Sequence, residues 1–186
     1  MSIRRVKIVL LCEDSQHEAF IRRFLNGMGW NTREIRVEKS PSATGSAEEW
    51  VRENFPRELM IYRNRRHRAA SALITMIDAD NKSVQNRIDA LETSCEANKI
   101  KFRSQKEAVA IAVPKRNIET WIHYLNGDQV NEQDHYQKLK RERECGPMVD
   151  SLVELCHSTG LENDAPSALA LACDEYTNRI MPMSSI

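Results

Sequence analysis

The sequence carries no net charge. Its 27 Lys+Arg balance 27 Asp+Glu, so the overall balance names no polyanionic partner, although a local patch can still bind one. It has no Cys-x-x-Cys pair and no His-Glu-x-x-His. Cys12, Cys95, Cys145, Cys156 and Cys173 are an odd number at scattered positions. That argues against a disulfide framework or a zinc site and predicts reduced, mostly buried thiols in a cytosolic protein. No apolar run approaches the length of a membrane span, so no membrane partner is expected. The run 8–12 after the basic start is too short for the apolar core of a signal peptide, and the chain then turns acidic. No internal repeat, low-complexity segment or P-loop is present. What is present is 186 residues, 41% hydrophobic and 29% charged. That suits one globular domain, or a domain with a small appendage.

The chain organises around 72–82, Ala-Leu-Ile-Thr-Met-Ile-Asp-Ala-Asp-Asn-Lys. A short apolar run of this kind fits a buried parallel strand, and it ends in two carboxylates, Asp78 and Asp80. Parallel α/β folds carry their chemistry beyond the carboxyl ends of such strands. Paired carboxylates there suit a hard divalent cation; an Asp-rich turn capping the next helix is the plainer alternative.

Upstream, 6–12 reads as strand one and ends at Glu13 and Asp14. Ser15 with Glu18 forms a capping box for a helix carrying Phe20, Phe24 and Leu25, which Gly27 and Gly29 end. Residues 33–38 alternate as strand two, and 39–46 reads as a loop. Ser46 with Glu49 opens the next helix, which Pro56 interrupts or restarts. That segment ends in the densest basic run, Arg63, Arg65, Arg66 and Arg68, either a solvated face or a phosphate-binding patch. Strand three covers 73–77. A helix over 83–98 shows Val84, Ile88, Leu91 and Cys95 on one face. Strand four, 108–113, is followed by Lys115, Arg116 and a short helix with Ile118, Trp121, Ile122 and Leu125 buried and Glu119 to one side. Residues 126–144 are an exposed helix or mobile insert. Two further helices start at Gly146-Pro147 and near Asp164-Ala165-Pro166, and a loose tail follows Pro182.

The alternation predicts an α/β parallel sheet of about four strands flanked by helices, with right-handed crossovers. The expected division is an α/β part over 1–125 and a helical C-terminal extension over 126–186 packed on it as one structural unit. Three charged clusters then share one sheet edge: Glu13/Asp14, Asp78/Asp80 and Lys115/Arg116/Glu119. Converging carboxylates raise one another's pKa and call for a cation. Bound Mg²⁺ or Mn²⁺ there could activate water and stabilise a phosphoryl transition state, with Lys115 or Arg116 holding a substrate phosphate.

Val9-Leu10-Leu11-Cys12-Glu13 before a helix, and Ile77-Asp78-Ala79-Asp80 after a central strand, resemble the Toprim fold of topoisomerases, primases and overcoming-lysogenization-defect (OLD) family nucleases. The segment 114–121, Pro-Lys-Arg-Asn-Ile-Glu-Thr-Trp, is similar to one in small stand-alone Toprim-like proteins. The resemblance covers about residues 6–125. It implies that Glu13 is a metal ligand or general acid/base, that Asp78 and Asp80 are the metal-binding pair, and that Glu119 is a further ligand. Glu18 stands one residue beyond a second acidic position, and Asp14 replaces the glycine usual after the first glutamate. The resemblance further implies a Mg²⁺- or Mn²⁺-dependent nuclease working with a separate ATPase partner, as in bacterial anti-phage defence.

The resulting expectation is cleavage of DNA or RNA at Glu13, Asp78, Asp80 and Glu119, with Lys115 and Arg116 near the scissile phosphate and Arg63, Arg65, Arg66 and Arg68 on the nucleic-acid backbone. Two readings compete. One is a phosphoreceiver using Glu13-Asp14, Asp78 and Lys115, although the interval from Asp14 to Asp78 is longer than two strand–helix steps need. The other is a non-catalytic Toprim-like module that binds a partner.

Overall fold

Three apolar runs and one mixed run form the strands. In the computed structural model, which describes residues 6–41, 46–158 and 160–185, they are β1 (Lys7–Cys12), β2 (Arg36–Lys39), β3 (Ser71–Met76) and β4 (Val109–Ala112). All pair in parallel, in the order β2-β1-β3-β4. Cys12 is level with Lys39 and Met76, and Met76 with Ala112. The four carboxyl ends therefore finish on one edge.

Parallel sheets are covered on both faces. The first crossover runs outward from β1 to β2, and the next two run back the other way. With right-handed crossovers, α1 (Ser15–Gly27) lies on one face, and α2 (Ala47–Arg66) and α3 (Val84–Ala97) lie on the other. On the α1 side the Phe20 ring meets Trp121 of α4 (Ile118–Leu125), and Phe24 meets Tyr176. Helices α5 (Gly146–His157) and α6 (Ser167–Glu175) complete that layer. Val149, Leu152, Leu169 and Ile180 join the same buried core as β1 and β3. The C-terminal region is thus part of one packed structure.

Local chemistry departs from the expected pattern in several places. Asp14, not Ser15, caps α1, because its extended backbone lets Oδ1 accept from the N–H groups of Gln16 and His17, each at 2.9 Å. Glu18 instead binds Arg22 and Lys39. Residues Thr32–Glu34 form a 3-10 turn, so pairing in β2 starts only at Arg36. Pro56 does not interrupt α2. It removes one N–H donor, and the Ser94 hydroxyl donates to the Arg52 carbonyl in its place, at 2.9 Å. The insert forms no regular helix before a 3-10 turn at Glu142–Cys145. The last helix runs on into a π-helical turn, Tyr176–Ile180, and the start of the expected loose tail after Pro182 is wound into a 3-10 turn, Met181–Ser185. Residues 42–45 of the expected loop lie outside the described residues.

Strand β4 is an edge strand, and its open side is blocked. The Ile111 N–H donates to Glu175 Oε2 at 2.9 Å, and Arg103, paired with Glu175, donates to the Val109 carbonyl at 2.6 Å. Side chains that engage an edge in this way deny it to another strand. The five cysteines carry free thiols, with Cys12, Cys95 and Cys145 buried. Among the described residues no helix is long and apolar enough to cross a membrane.

Candidate functional site

The order β2-β1-β3-β4 has its topological switch point between β1 and β3, the place where open α/β sheets bind ligands beyond the strand ends. Glu13 follows β1 and Asp78 follows β3, so both stand at this point. The Asp78 backbone N–H donates to Glu13 Oε1 at 2.6 Å. Burial first, and then the Asp78 carboxylate, push Glu13 up to about 7.

Two residues not singled out from the sequence hold Asp78. His17, fully buried in the first turns of α1, places Nε2 at 3.1 Å from Asp78 Oδ1. Burial opposes charge on the ring, but the Asp78 carboxylate outweighs it, and His17 is pushed up to about 9. Its Nδ1 is buried without a partner. Arg87 is 2% exposed on α3. Its Nε donates to the Asp78 carbonyl at 2.8 Å and its Nη2 reaches Asp80 Oδ2 at 3.2 Å, while Nη1 pairs with Glu48. The sequence does hold a signal for Arg87. It precedes Leu91 by one helical turn, so a cation stands within the apolar stripe of α3 and needs a buried partner. His17 has only its place in the first turn after Asp14.

Asp80 is more open, with its side chain 62% exposed. Its N–H donates to the Arg116 carbonyl at 3.0 Å, and both residues take left-handed backbone, φ 52° and 71°. Such conformations for residues other than glycine gather at functional sites. Burial and Asp78 raise the Asp80 pKa. Arg116 donates to the Asn81 side chain. Glu119 is buried in the first turn of α4. Its pKa is raised by burial, against its own backbone N–H and Lys138, with Asp78 and Asp14 adding to the rise. Glu13, Asp78, Asp80 and Glu119 therefore lie within electrostatic reach around Asp78.

The other expected residues do not join them. Lys115 donates to the Lys82 carbonyl and lines a groove of about 500 Å³ with Val84, Ile88, Val113 and Leu171. Arg63, Arg65, Arg66 and Arg68 sit where the chain enters β3, at the amino-terminal edge, opposite the carboxylates. Arg63 and Arg66 are paired there with Glu107, while Arg65 and Arg68 flank a hollow with Lys7, the first residue of β1.

Among the described residues no three His, Cys, Asp or Glu side chains form a metal-holding group. The edge offers something smaller: the Asp78 and Asp80 carboxylates, with Glu13 held on the Asp78 backbone N–H; Glu13 and Asp80 have raised pKa values. Mg²⁺ is commonly bound through one or two carboxylates, retained waters and substrate phosphates, without an all-protein cage. The donor set fits that mode. Comparisons with family models, with curated proteins and with solved structures returned no match.

Proposed function

We propose that this chain is a Mg²⁺- or Mn²⁺-dependent phosphodiesterase acting on nucleic acid. The carrying observation is the meeting of Glu13 and Asp78 at the switch point, where burial and mutual repulsion lift Glu13 toward neutrality. Asp78 and Asp80 would hold the ion; Glu119 as a further ligand is proposed on the Toprim-like resemblance alone. When bound, the ion supplies charge neutralisation at the phosphate and acidity to its water.

The chain's own groups supply the rest. Glu13, pushed up to about 7 without a cation, would give up its proton as the ion is held and then stand as the carboxylate that accepts a proton from water. His17 orients the Asp78 carboxylate, and Arg87 fixes the backbone that carries Asp78 and Asp80. Arg116, whose carbonyl accepts from the Asp80 N–H, is a cation at this edge that would meet a substrate phosphate. An ATPase partner and a role in anti-phage defence are proposed on the Toprim-like resemblance alone. The test is the double variant Asp78→Ala/Asp80→Ala with supercoiled DNA and RNA in Mn²⁺. It should lose cleavage while keeping the wild-type circular dichroism; a double variant that still cuts removes the site.

One observation favours a second reading, a non-catalytic partner-binding module: the lack of three converging metal-ligand side chains among the described residues. Absence of Mg²⁺ and Mn²⁺ uptake by calorimetry would give that reading precedence. The phosphoreceiver reading has less support, because Lys115 donates to Lys82 and Asp14 is engaged in capping α1. Beryllofluoride binding at Asp78 would restore it.

A further inference from the structure

The insert after α4 does more than connect α4 to α5. Glu132 reaches across to α6, where its carboxylate accepts from the Ser167 hydroxyl at 2.7 Å and the Ala168 N–H at 2.9 Å. The chain then turns back along α4. His135 lies 3.0 Å from Asn117, just before α4, and Tyr136 stacks near His123. The Gln137 carbonyl also meets His123. Farther on, Gln16 in the first turn of α1 donates to the Glu142 carbonyl at 3.2 Å. Asn117 and Gln16 both stand where helices start beyond strand ends. Residues 135–143, which run into the 3-10 turn at Glu142–Cys145, therefore form a strap along the carboxyl edge, beside the acids.

The exposed residues of this stretch carry four cations, Lys138, Lys140, Arg141 and Arg143, against two acids, Glu142 and Glu144. Lys138 is close enough to lower the Glu119 pKa. Arg141 makes only a loose pair with Glu144, at 3.8 Å. The far edge differs, since there Arg63 and Arg66 are taken up by Glu107. Arg116, whose carbonyl accepts from the Asp80 N–H, immediately precedes Asn117, the residue that His135 of the strap meets. The acids thus lie beside a run of cations, a charge pattern complementary to a polyanion whose scissile phosphate would meet the acids through a metal while neighbouring phosphates meet the strap.

We infer that Lys138, Lys140, Arg141 and Arg143 of the strap bind the phosphodiester backbone of nucleic acid and guide it across the Glu13–Asp78 edge. This rests on the proposed nuclease reading and replaces the Arg63–Arg68 run as the docking surface. The test is anisotropy of a labelled oligonucleotide with the full chain, in Ca²⁺ and at several salt concentrations. It compares wild type, Lys138→Ala/Lys140→Ala/Arg141→Ala/Arg143→Ala, and the rival Arg65→Ala/Arg68→Ala. A thermal melt checks the fold, and Lys138→Arg/Lys140→Arg should bind as wild type.

The strap variant should bind at least about tenfold more weakly. Its plot of log K against log salt should flatten by roughly 3, since each phosphate that is no longer neutralised removes ~0.7–0.9 from the slope. Unchanged affinity and slope in the strap variant, or weakening confined to Arg65→Ala/Arg68→Ala, overturns the inference. If wild type takes up Mn²⁺ at Asp78 but binds no oligonucleotide, the strap fails and the metal site stands. If the strap variant loses binding but Asp78→Ala neither reduces Mn²⁺ uptake nor stops cleavage, the strap stands and the proposed catalysis fails.

Discussion

Glu107 stands at the amino edge of the sheet and Glu13 at the carboxyl edge, and the fold treats the two glutamates in opposite ways. Glu107 accepts from Arg63 at 2.7 and 2.9 Å and from the Ser104 N–H at 2.8 Å. The Arg63 hydrogen bonds hold its pKa below the ordinary carboxylate value. Glu13 has one backbone N–H, a neighbouring carboxylate and His17 as a partial offset, and it is pushed up to about 7. One edge satisfies its buried carboxylate, while at the other His17 and Arg87 are taken up by Asp78 and Asp80 and leave Glu13 without a direct cationic partner. The first arrangement stabilises a fold. The second costs stability and suits a site that awaits a cation and a proton transfer.

The comparison can be broken at either edge. The largest effect on stability is expected from Glu107→Gln, which removes the charge that Arg63 and Arg66 pair with; a drop of about 2–3 kcal/mol in urea unfolding is the scale for charge-assisted hydrogen bonds lost from a partly buried pair. Glu13→Gln should act in the opposite direction. Gln can still accept the Asp78 N–H but carries no charge, so the metal-free protein should gain about 1–3 kcal/mol at about pH 8, while metal-dependent cleavage disappears.

The pH dependence sharpens the same contrast. The Glu107 contribution is complete above its unfolded pKa and is lost as pH falls through the depressed folded value. For Glu13 the folded pKa of about 7 lies above the ordinary 4.5, so its penalty on folding is full above the folded value and disappears as pH falls below the unfolded one. Unfolding series on wild type and Glu13→Gln should therefore diverge toward alkaline pH and converge in acid; parallel curves would mean that Glu13 is not strained. The smallest effect is Ser94→Ala. It removes the donor to the Arg52 carbonyl, should cost about 1 kcal/mol by thermal melt, and should leave Mn²⁺ uptake unchanged.

The sheet and the acids are legible in the sequence because they depend on local pattern: apolar runs of strand length, each followed by charge. Their convergence follows from parallel topology, in which residues after strands share an edge. The same rule separates the Arg63–Arg68 run from Asp78, since residues that precede a parallel strand lie at the opposite edge. Nearness in sequence suggests a shared site for the two, and topology overrules it. His17 is hidden because α1 carries it inward with no pattern to mark it, and Arg87, though marked as a cation within an apolar stripe, is not matched by periodicity to the carboxylate it meets. The continuity of α2 through Pro56 depends on Ser94, a partner from another helix that no local pattern announces. The path of the insert depends on single long-range bonds from Glu132, His135 and Glu142.

The most direct test of the central claim is calorimetric titration of Mn²⁺ into the wild-type chain, Asp78→Ala and Glu13→Gln, in buffers of different ionisation heat near pH 6.5. An acidic edge that awaits a cation predicts uptake by the wild type with proton release, because Glu13 is largely protonated there. It predicts no uptake in Asp78→Ala and no proton release in Glu13→Gln. A wild type that takes up no Mn²⁺, or uptake that Asp78→Ala leaves unchanged, would contradict it.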